Sequence, residues 1–344
     1  VTALVTGASG FIGSAVVRAL RSDGEPVIAM VEPGAPTTAL DGLDVDVRAA
    51  DLRDDRAVRT ALAGADSVFH VAALYRFWAR DARAFYDVNV GGTRTVLAAA
   101  ADAGVSRVVY TSTVGTLGLD DLHDGRGANE TDYPDVGHLF GAYKRSKYVA
   151  EHEVLRAAAQ GLPVVLVLPT MPIGPRDAAP TPSGRLVLDY LNGRMPGFVD
   201  TVLNIVHVDD VARGHVLARD RGRQGRSYIL GGQNLTLQQV LALLAQVTGL
   251  REPSLRVPRA ATLAAGWVSD TVEGRLLRRT PRVPLEAARM STTRMAFDDS
   301  RARAELGHAP RPAAEALADS ARWYLDNGFV APARAARIAG RLDR

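Results

Sequence analysis

The chain has 344 residues, 47% of them hydrophobic and 23% charged, the make-up of a folded enzyme with a sizeable core rather than of a disordered or fibrous chain. It has no cysteine, which excludes disulfides and thiolate metal sites, and its seven histidines form no H-x-x-x-H pair, so no metal is expected. The net charge of +3 equals the excess of Arg334, Arg337, Arg341 and Arg344 over Asp343 in residues 331–344, so the body is formally neutral and offers no basic face to nucleic acid.

The first predicted element is an apolar strand over 3–6, which runs into TGASGFIG and a helix over 10–22. Gly7, Gly10 and Gly13 recur every third residue, with Phe11 and Ile12 between the last two. At a strand-to-helix junction such glycines allow a tight turn, close approach of backbone to a pyrophosphate, and close packing of helix on sheet. The helix start then points free N–H groups at the phosphates. The junction therefore reads as a dinucleotide site. Glu32 ends a second strand, over 26–31. A carboxylate there accepts from a ribose 2′-OH and repels a 2′-phosphate, which favours NAD over NADP. A solvated loop glutamate is the plainer alternative.

Further strands are predicted at 45–50, 67–71, 108–112 and 164–168, and helices at 54–62, 85–103 and 143–159. This alternation predicts an α/β, Rossmann-type, doubly wound parallel sheet, with ligands at the carboxyl ends of the strands. After Leu168 the texture changes to the proline-rich run PTMPIGPRDAAPTP, read as a long loop with a binding role. A strand over 203–208 and a helix over 237–248, capped by Thr236, follow. The expected division is a dinucleotide-binding domain over 1–168, with 202–232 returning to it, and a smaller mixed substrate lobe over 169–201 and 233–330. Residues 331–344 form a basic tail, read as a solvated, frayed end or as a peripheral contact with an acidic membrane. No apolar run is long enough to span a membrane, and the first strand starts so early that no leader is expected, which fits a cytoplasmic protein.

Tyr143 and Lys147 stand one helical turn apart in YKRSK, on one face. A free phenol is a poor proton donor or acceptor at neutral pH, and a nearby ammonium favours the phenolate. Tyr143 can then exchange a proton with a substrate oxygen while hydride moves at the adjacent carbon, and Lys147 can also hold a cofactor ribose. Ser112 and Thr113 end the fifth strand, where a hydroxyl can steady the reacting oxygen or simply cap the strand. Asn89, in DVNVGGT, binds cofactor or holds local structure. Trp78, with Tyr75 and Phe77, covers a substrate ring or packs the lobe. Arg176, Arg185 and Arg194 clamp a diphosphate or are surface charge.

TGASGFIG, Asp51-Leu52, HVAA at 70–73, NVGGT at 89–93, YTST at 110–113, YKRSK and HVDDVA at 207–212 occur in this order. Together they resemble the extended short-chain dehydrogenase/reductase family of NAD-dependent epimerases and dehydratases, to about Phe329. YRFWARD, PIGPRD, PTPSGRLVLDYLNGRMP and ELGHAPRP are similar to a hopanoid-associated sugar epimerase subgroup, itself similar to dihydroflavonol-4-reductase-like enzymes. The resemblance implies Tyr143 as acid/base, Lys147 as its partner, and Thr113 as the third member, with Ser112 as fallback. It also implies cofactor contacts at Asp51, Leu52, Val71, Ala72, Ala73, Asn89 and Pro169, and a substrate contact at Thr170.

Two departures narrow this. Val114 and Gly115 stand where sugar-nucleotide dehydratases carry an acidic pair, and VGTLG lacks the tyrosine typical of many sugar-nucleotide epimerases. The expectation is therefore an NAD(P)-dependent oxidoreductase of a secondary alcohol or ketone. An epimerase that uses its cofactor catalytically and a non-catalytic dinucleotide sensor are the alternatives. The expected partner is a small-molecule substrate, and a homodimer stays open.

Overall fold

A computed structural model describes every residue except 77, 80, 120–125, 136, 138, 278 and 343–344, and omits the side chains at 275 and 339–342. The chain begins with β1 (Ala3–Thr6), α1 (Phe11–Ser22), β2 (Val27–Val31), β3 (Asp46–Ala49), α2 (Asp55–Leu62), β4 (Ser67–His70), α3 (Arg83–Tyr86), α4 (Gly92–Asp102), β5 (Arg107–Thr111), α5 (Ala142–Ala159) and β6 (Val164–Pro169). It continues through β7 (Met171–Ile173), α6 (Pro182–Leu191), β8 (Gly197–Phe198), β9 (Val202–His207), α7 (Val208–Arg221), β10 (Ser227–Leu230), β11 (Gln233–Thr236) and α8 (Leu237–Thr248). The last elements are β12 (Leu255–Arg256), α9 (Arg259–Ser269), α10 (Leu285–Ser291), α11 (Ala313–Asp326) and α12 (Pro332–Leu342).

Seven strands form one parallel sheet in the order β3-β2-β1-β4-β5-β6-β10. The inner strands are buried throughout, because helices cover both faces and leave no polar side to alternate with. Val58, Val96 and Ala150 pack one face from α2, α4 and α5; Val16, Leu20 and Val211 pack the other from α1 and α7. Strand order reverses between β1 and β4, which opens a crevice at their carboxyl ends. The Rossmann-type sheet expected from the sequence is thus present. A smaller mixed sheet, β11-β9-β7, backs a third core of Ile173, Tyr190, Leu241, Leu317 and Tyr324. Phe297 packs into the first core, and Ala302 and Leu306 into the second, so this late stretch lies against the large sheet.

Three local expectations change. The proline-rich run is not all loop: Met171–Ile173 pairs with β9, and Pro172 is tolerated because β7 is an edge strand. The helix expected over 85–103 is broken by a π-helical segment, Asp87–Gly91, which carries Asn89. The tail does not fray. Residues 332–342 are helical, Ile338 is buried in the third core, Arg334 Nε donates to the Leu191 carbonyl at 2.6 Å, and the Ala331 N–H donates to Asn192 Oδ1. Reading the tail by its charge overlooked the apolar stripe that docks it.

Candidate active site

The glycine junction lies at the crevice. A Cβ on Gly13 would stand 2.1 Å from the Gly7 carbonyl oxygen, and one on Gly7 2.8 Å from Ala72 Cα. Gly7 also takes a left-handed φ of 63°, which favours glycine. The loop is therefore closed down on α1 and on the end of β4, with bare backbone facing the crevice. Gly10 caps α1 without a side-chain bond, so the first N–H groups of that helix have no side-chain acceptor there. Such a cradle fits a pyrophosphate. Phe11 and Ile12 pack partly buried beneath it.

Behind the cradle runs a buried hydrogen-bond relay. Thr6 Oγ1 accepts from the backbone N–H of Val71 and of Ala72, both at 3.1 Å, and lies 2.9 Å from His70 Nδ1. His70 Nε2 lies 3.0 Å from Thr93 Oγ1, and that hydroxyl donates to the Asn89 carbonyl at 2.6 Å. Burial, then the nearby Lys147 charge, lowers the His70 pKa to about 3, so the ring is neutral. The bonding pattern then puts its proton on Nε2, with Thr6 donating to Nδ1. Asn89 continues the relay: Oδ1 accepts from the Leu74 N–H at 2.7 Å, and Nδ2 donates to Ser146 Oγ at 2.9 Å. Ser146 in turn donates to the Tyr143 carbonyl. The loop after β4 and the helix α5 are thereby tied together, so Asn89 holds structure between the two halves of the site.

Tyr143 and Lys147 are both buried on α5. The Tyr143 hydroxyl is hydrogen-bonded to Thr113, and its ring lies against Tyr75, with centroids 4.9 Å apart. Burial, then Tyr75, raises the phenol pKa, the Thr113 bond pulls it down, and Glu286 pushes it up. Lys147 Nζ donates to the Thr111 carbonyl at 2.7 Å and to the Tyr110 hydroxyl at 2.9 Å, and Tyr110 is bonded on to Thr93. Burial lowers the Lys147 pKa to about 7, opposed by Glu151 one turn along. The ammonium expected beside Tyr143 is thus anchored to the strand and to the relay. Ser112 turns the other way: its hydroxyl donates to Glu151 Oε2 at 2.5 Å, as does that of Thr116 at 3.0 Å. Thr113 is therefore the hydroxyl that meets Tyr143.

Sequence reasoning missed Glu286. It reaches from α10 to the N-terminus of α5, where a Cβ on Gly141 would stand 2.0 Å from its Cδ. The carboxyl is buried and Oε1 has no hydrogen-bond partner. Burial raises its pKa to about 7 from an ordinary 4.5, partly offset by Lys144. The folded state therefore holds the proton more tightly than the unfolded one. The cost of ionising Glu286 in place is absent below the ordinary value, grows as pH rises towards 7, and is full above it. Glu286→Gln should be more stable than the parent by about 2–3 kcal/mol near pH 8, with the difference shrinking near pH 5. Thermal melts at both pH values test this; a pH-independent difference would refute it.

The remaining expected residues scatter. Glu32 is exposed beyond β2. Asp51 is engaged by Arg53 at 2.6 Å, and Leu52 packs against Gly92. Val71 and Ala72 contribute the backbone bonds to Thr6, Ala73 follows them, and Pro169 and Thr170 lie at the end of β6, where the Thr170 N–H donates to the Leu230 carbonyl. Arg176, at a left-handed φ of 71°, pairs with Asp209 at 2.5 Å, and Arg185 is exposed on α6 near Asp177. Trp78 sets its indole Nε1 against Gly274 of the segment after α9, which is lobe packing. Phe77 lies outside the described residues.

A model of the NAD-dependent epimerase/dehydratase family matches residues 3–231. A dihydroflavonol 4-reductase-like protein of Synechocystis sp. is 42% identical over 330 residues, 95% of each chain. Sterol demethylase protein B of Methylococcus capsulatus is 37% identical over 331 residues, 96% of this chain and all of the relative. The crystal structure of a nucleoside-diphosphate-sugar epimerase from Pseudomonas aeruginosa superposes with a TM-score of 0.79 at 26% identity, covering 96% of this chain and 99% of that one.

Proposed function

Since the chain belongs to the NAD-dependent epimerase/dehydratase family, we propose that it is an oxidoreductase of a secondary alcohol or ketone in which Tyr143 moves the proton at the substrate oxygen. The observation that carries this is the placement of Tyr143: buried, bonded to Thr113 and one turn from Lys147, on the helix that the relay ties to the crevice. Gly7, Gly10 and Gly13 would cradle the cofactor diphosphate, Glu32 its adenosine ribose, Asp51 and Leu52 its adenine, the backbone of Val71–Ala73 and Pro169 its middle, and Lys147 the second ribose. The cofactor, when bound, supplies hydride transfer at the substrate carbon.

The raised phenol pKa keeps Tyr143 protonated at neutral pH, which suits donation to a ketone oxygen as charge develops there. Thr113 can hydrogen-bond the same oxygen. Lys147, fixed by Thr111 and Tyr110, stands within a helical turn of the phenolate that donation leaves behind, and its protonated form stabilises that charge. A protein that only senses a dinucleotide has no use for this pair.

Net reduction and epimerisation part company in cofactor stoichiometry. A reductase consumes one reduced cofactor per product and must release it, whereas an epimerase re-reduces the same substrate. The VGTLG segment after Thr113, without the tyrosine of many sugar-nucleotide epimerases, supports the former, so an accepted ketone should give a stoichiometric loss of NADH absorbance. A change of substrate configuration with trace NAD and no net signal would restore the epimerase reading, which the Pseudomonas neighbour's name supports.

NAD is the proposed cofactor, on the exposed carboxylate of Glu32 at the end of β2. Glu32→Arg should move preference towards NADP by about tenfold or more, because it removes a repulsion and adds a phosphate partner. Calorimetric titration of both cofactors into both proteins tests this; parent protein that binds NADP more tightly would refute it.

A further inference from the structure

The helix pair that carries Glu286 has a second face. Gly266 of α9 packs against Ala288 and Leu285 of α10, so the inner side of the pair is closed against the site. Its outer side is apolar and uncovered. Trp267 is 62% exposed, Leu276 75% and Leu277 55%, and Val268, Val272 and Val283 are exposed beside them. Scattered apolar side chains on a surface need no explanation, but a run of this kind along one helix and its continuation marks a contact surface.

Charge decides what kind of surface it meets. Arg259, Arg279 and Arg282 are exposed around the apolar run, and by sequence residues 259–283 hold five arginines against two acids. The acids of the stretch are Asp270 and Glu273, and Glu273 is taken up by Ser269, by the backbone N–H of Arg282 and by the Arg282 guanidinium at 3.4 Å. Two copies of the chain meeting symmetrically through this face would set arginines against arginines. Anionic lipid headgroups complement them instead, with tryptophan at the interface and leucines below it. We propose that the outer face of α9 and the segment to Val283 docks on the surface of an anionic lipid bilayer. Among the described residues no helix is long and apolar enough to cross a membrane, so the contact is one of lying on the surface. The proposal does not depend on which reaction Tyr143 performs, and vesicle binding tests it without turnover.

The full chain is mixed with vesicles of phosphatidylcholine alone or doped with phosphatidylglycerol, and binding is read by co-sedimentation and tryptophan emission. The expected result is binding to the doped vesicles, weakened by salt, with a blue shift that Trp267→Phe removes. Leu276→Ser with Leu277→Ser, and separately Arg259→Glu with Arg279→Glu, should each weaken binding at least tenfold while melting temperature and NAD affinity stay at parent values. No binding to doped vesicles, or variants that bind as the parent does, overturns the proposal. A parent dimer that the leucine variant converts to monomer, with vesicle binding absent, overturns it in favour of a second copy of the chain.

Discussion

Tyr143→Phe is expected to lower turnover by roughly a hundred- to ten-thousand-fold, the usual worth of a positioned acid or base, with NAD affinity nearly unchanged. The phenyl ring keeps the packing against Tyr75, and the backbone bond from Ser146 does not involve the lost hydroxyl. Only the bond to Thr113 and the exchangeable proton disappear. The loss should therefore fall on kcat rather than on cofactor binding. Thr113→Val supplies a comparison: it removes the hydroxyl that meets Tyr143 but leaves the phenol, so its loss should be smaller. Ser112→Ala should damage neither proton transfer nor cofactor binding directly, since Ser112 faces Glu151. A Tyr143→Phe protein that kept more than a few per cent of parental turnover would show that another group moves the proton. A collapse of NAD affinity in the same variant would instead point to a cofactor role for the phenol.

The large sheet was legible because its strands are continuous apolar runs separated by helices of fitting length, and burial on both faces demands that pattern. The Y-x-x-x-K spacing was legible for a similar reason: one helical turn places both side chains on one face, whatever surrounds them. Interactions that join distant segments were not. Glu286 comes from far along the chain to sit above Gly141, and no spacing in the sequence announces that meeting. His70 stood in a recognised motif, yet its work as a neutral link between Thr6 and Thr93 appears only once burial fixes its protonation. Lys147 was read as the neighbour of Tyr143, but β5 offers it the Thr111 carbonyl and the Tyr110 hydroxyl first. The π-helical turn at Asn89 escaped because its bonding register is set by tertiary contacts: Asn89 reaches both Leu74 and Ser146, and Gly92 packs on Leu52. Local propensity contains none of these partners.

Gly13→Ala should be the most damaging of the single-methyl changes in the glycine loop. Gly13 lies inside α1 at an ordinary helical φ, so alanine there carries no backbone strain and would raise helix propensity on its own. What forbids it is approach: the added Cβ would stand 2.1 Å from the Gly7 oxygen and 2.8 Å from the Gly7 carbonyl carbon. Both are backbone atoms, so α1 itself must lift away from the turn, carrying its N-terminal N–H groups out of line with the phosphates. Overpacking of this kind costs about 1–3 kcal/mol or more in stability, and the displaced helix start should weaken NAD binding about a hundredfold or more, equivalent to about 2.7 kcal/mol. Gly10→Ala meets the same oxygen at 3.2 Å and should weaken binding less. Gly24→Ala isolates strain from approach, because Gly24 has a φ of 78° with nothing near its missing Cβ. It should cost about 1 kcal/mol in stability and leave NAD affinity alone. Melting curves and calorimetric titration of the three variants give the order, with Gly10→Ala keeping the test open if Gly13→Ala does not fold. A Gly13→Ala protein that melts and binds NAD as the parent does would mean that the loop is looser than the close approach of Gly7 to α1 requires.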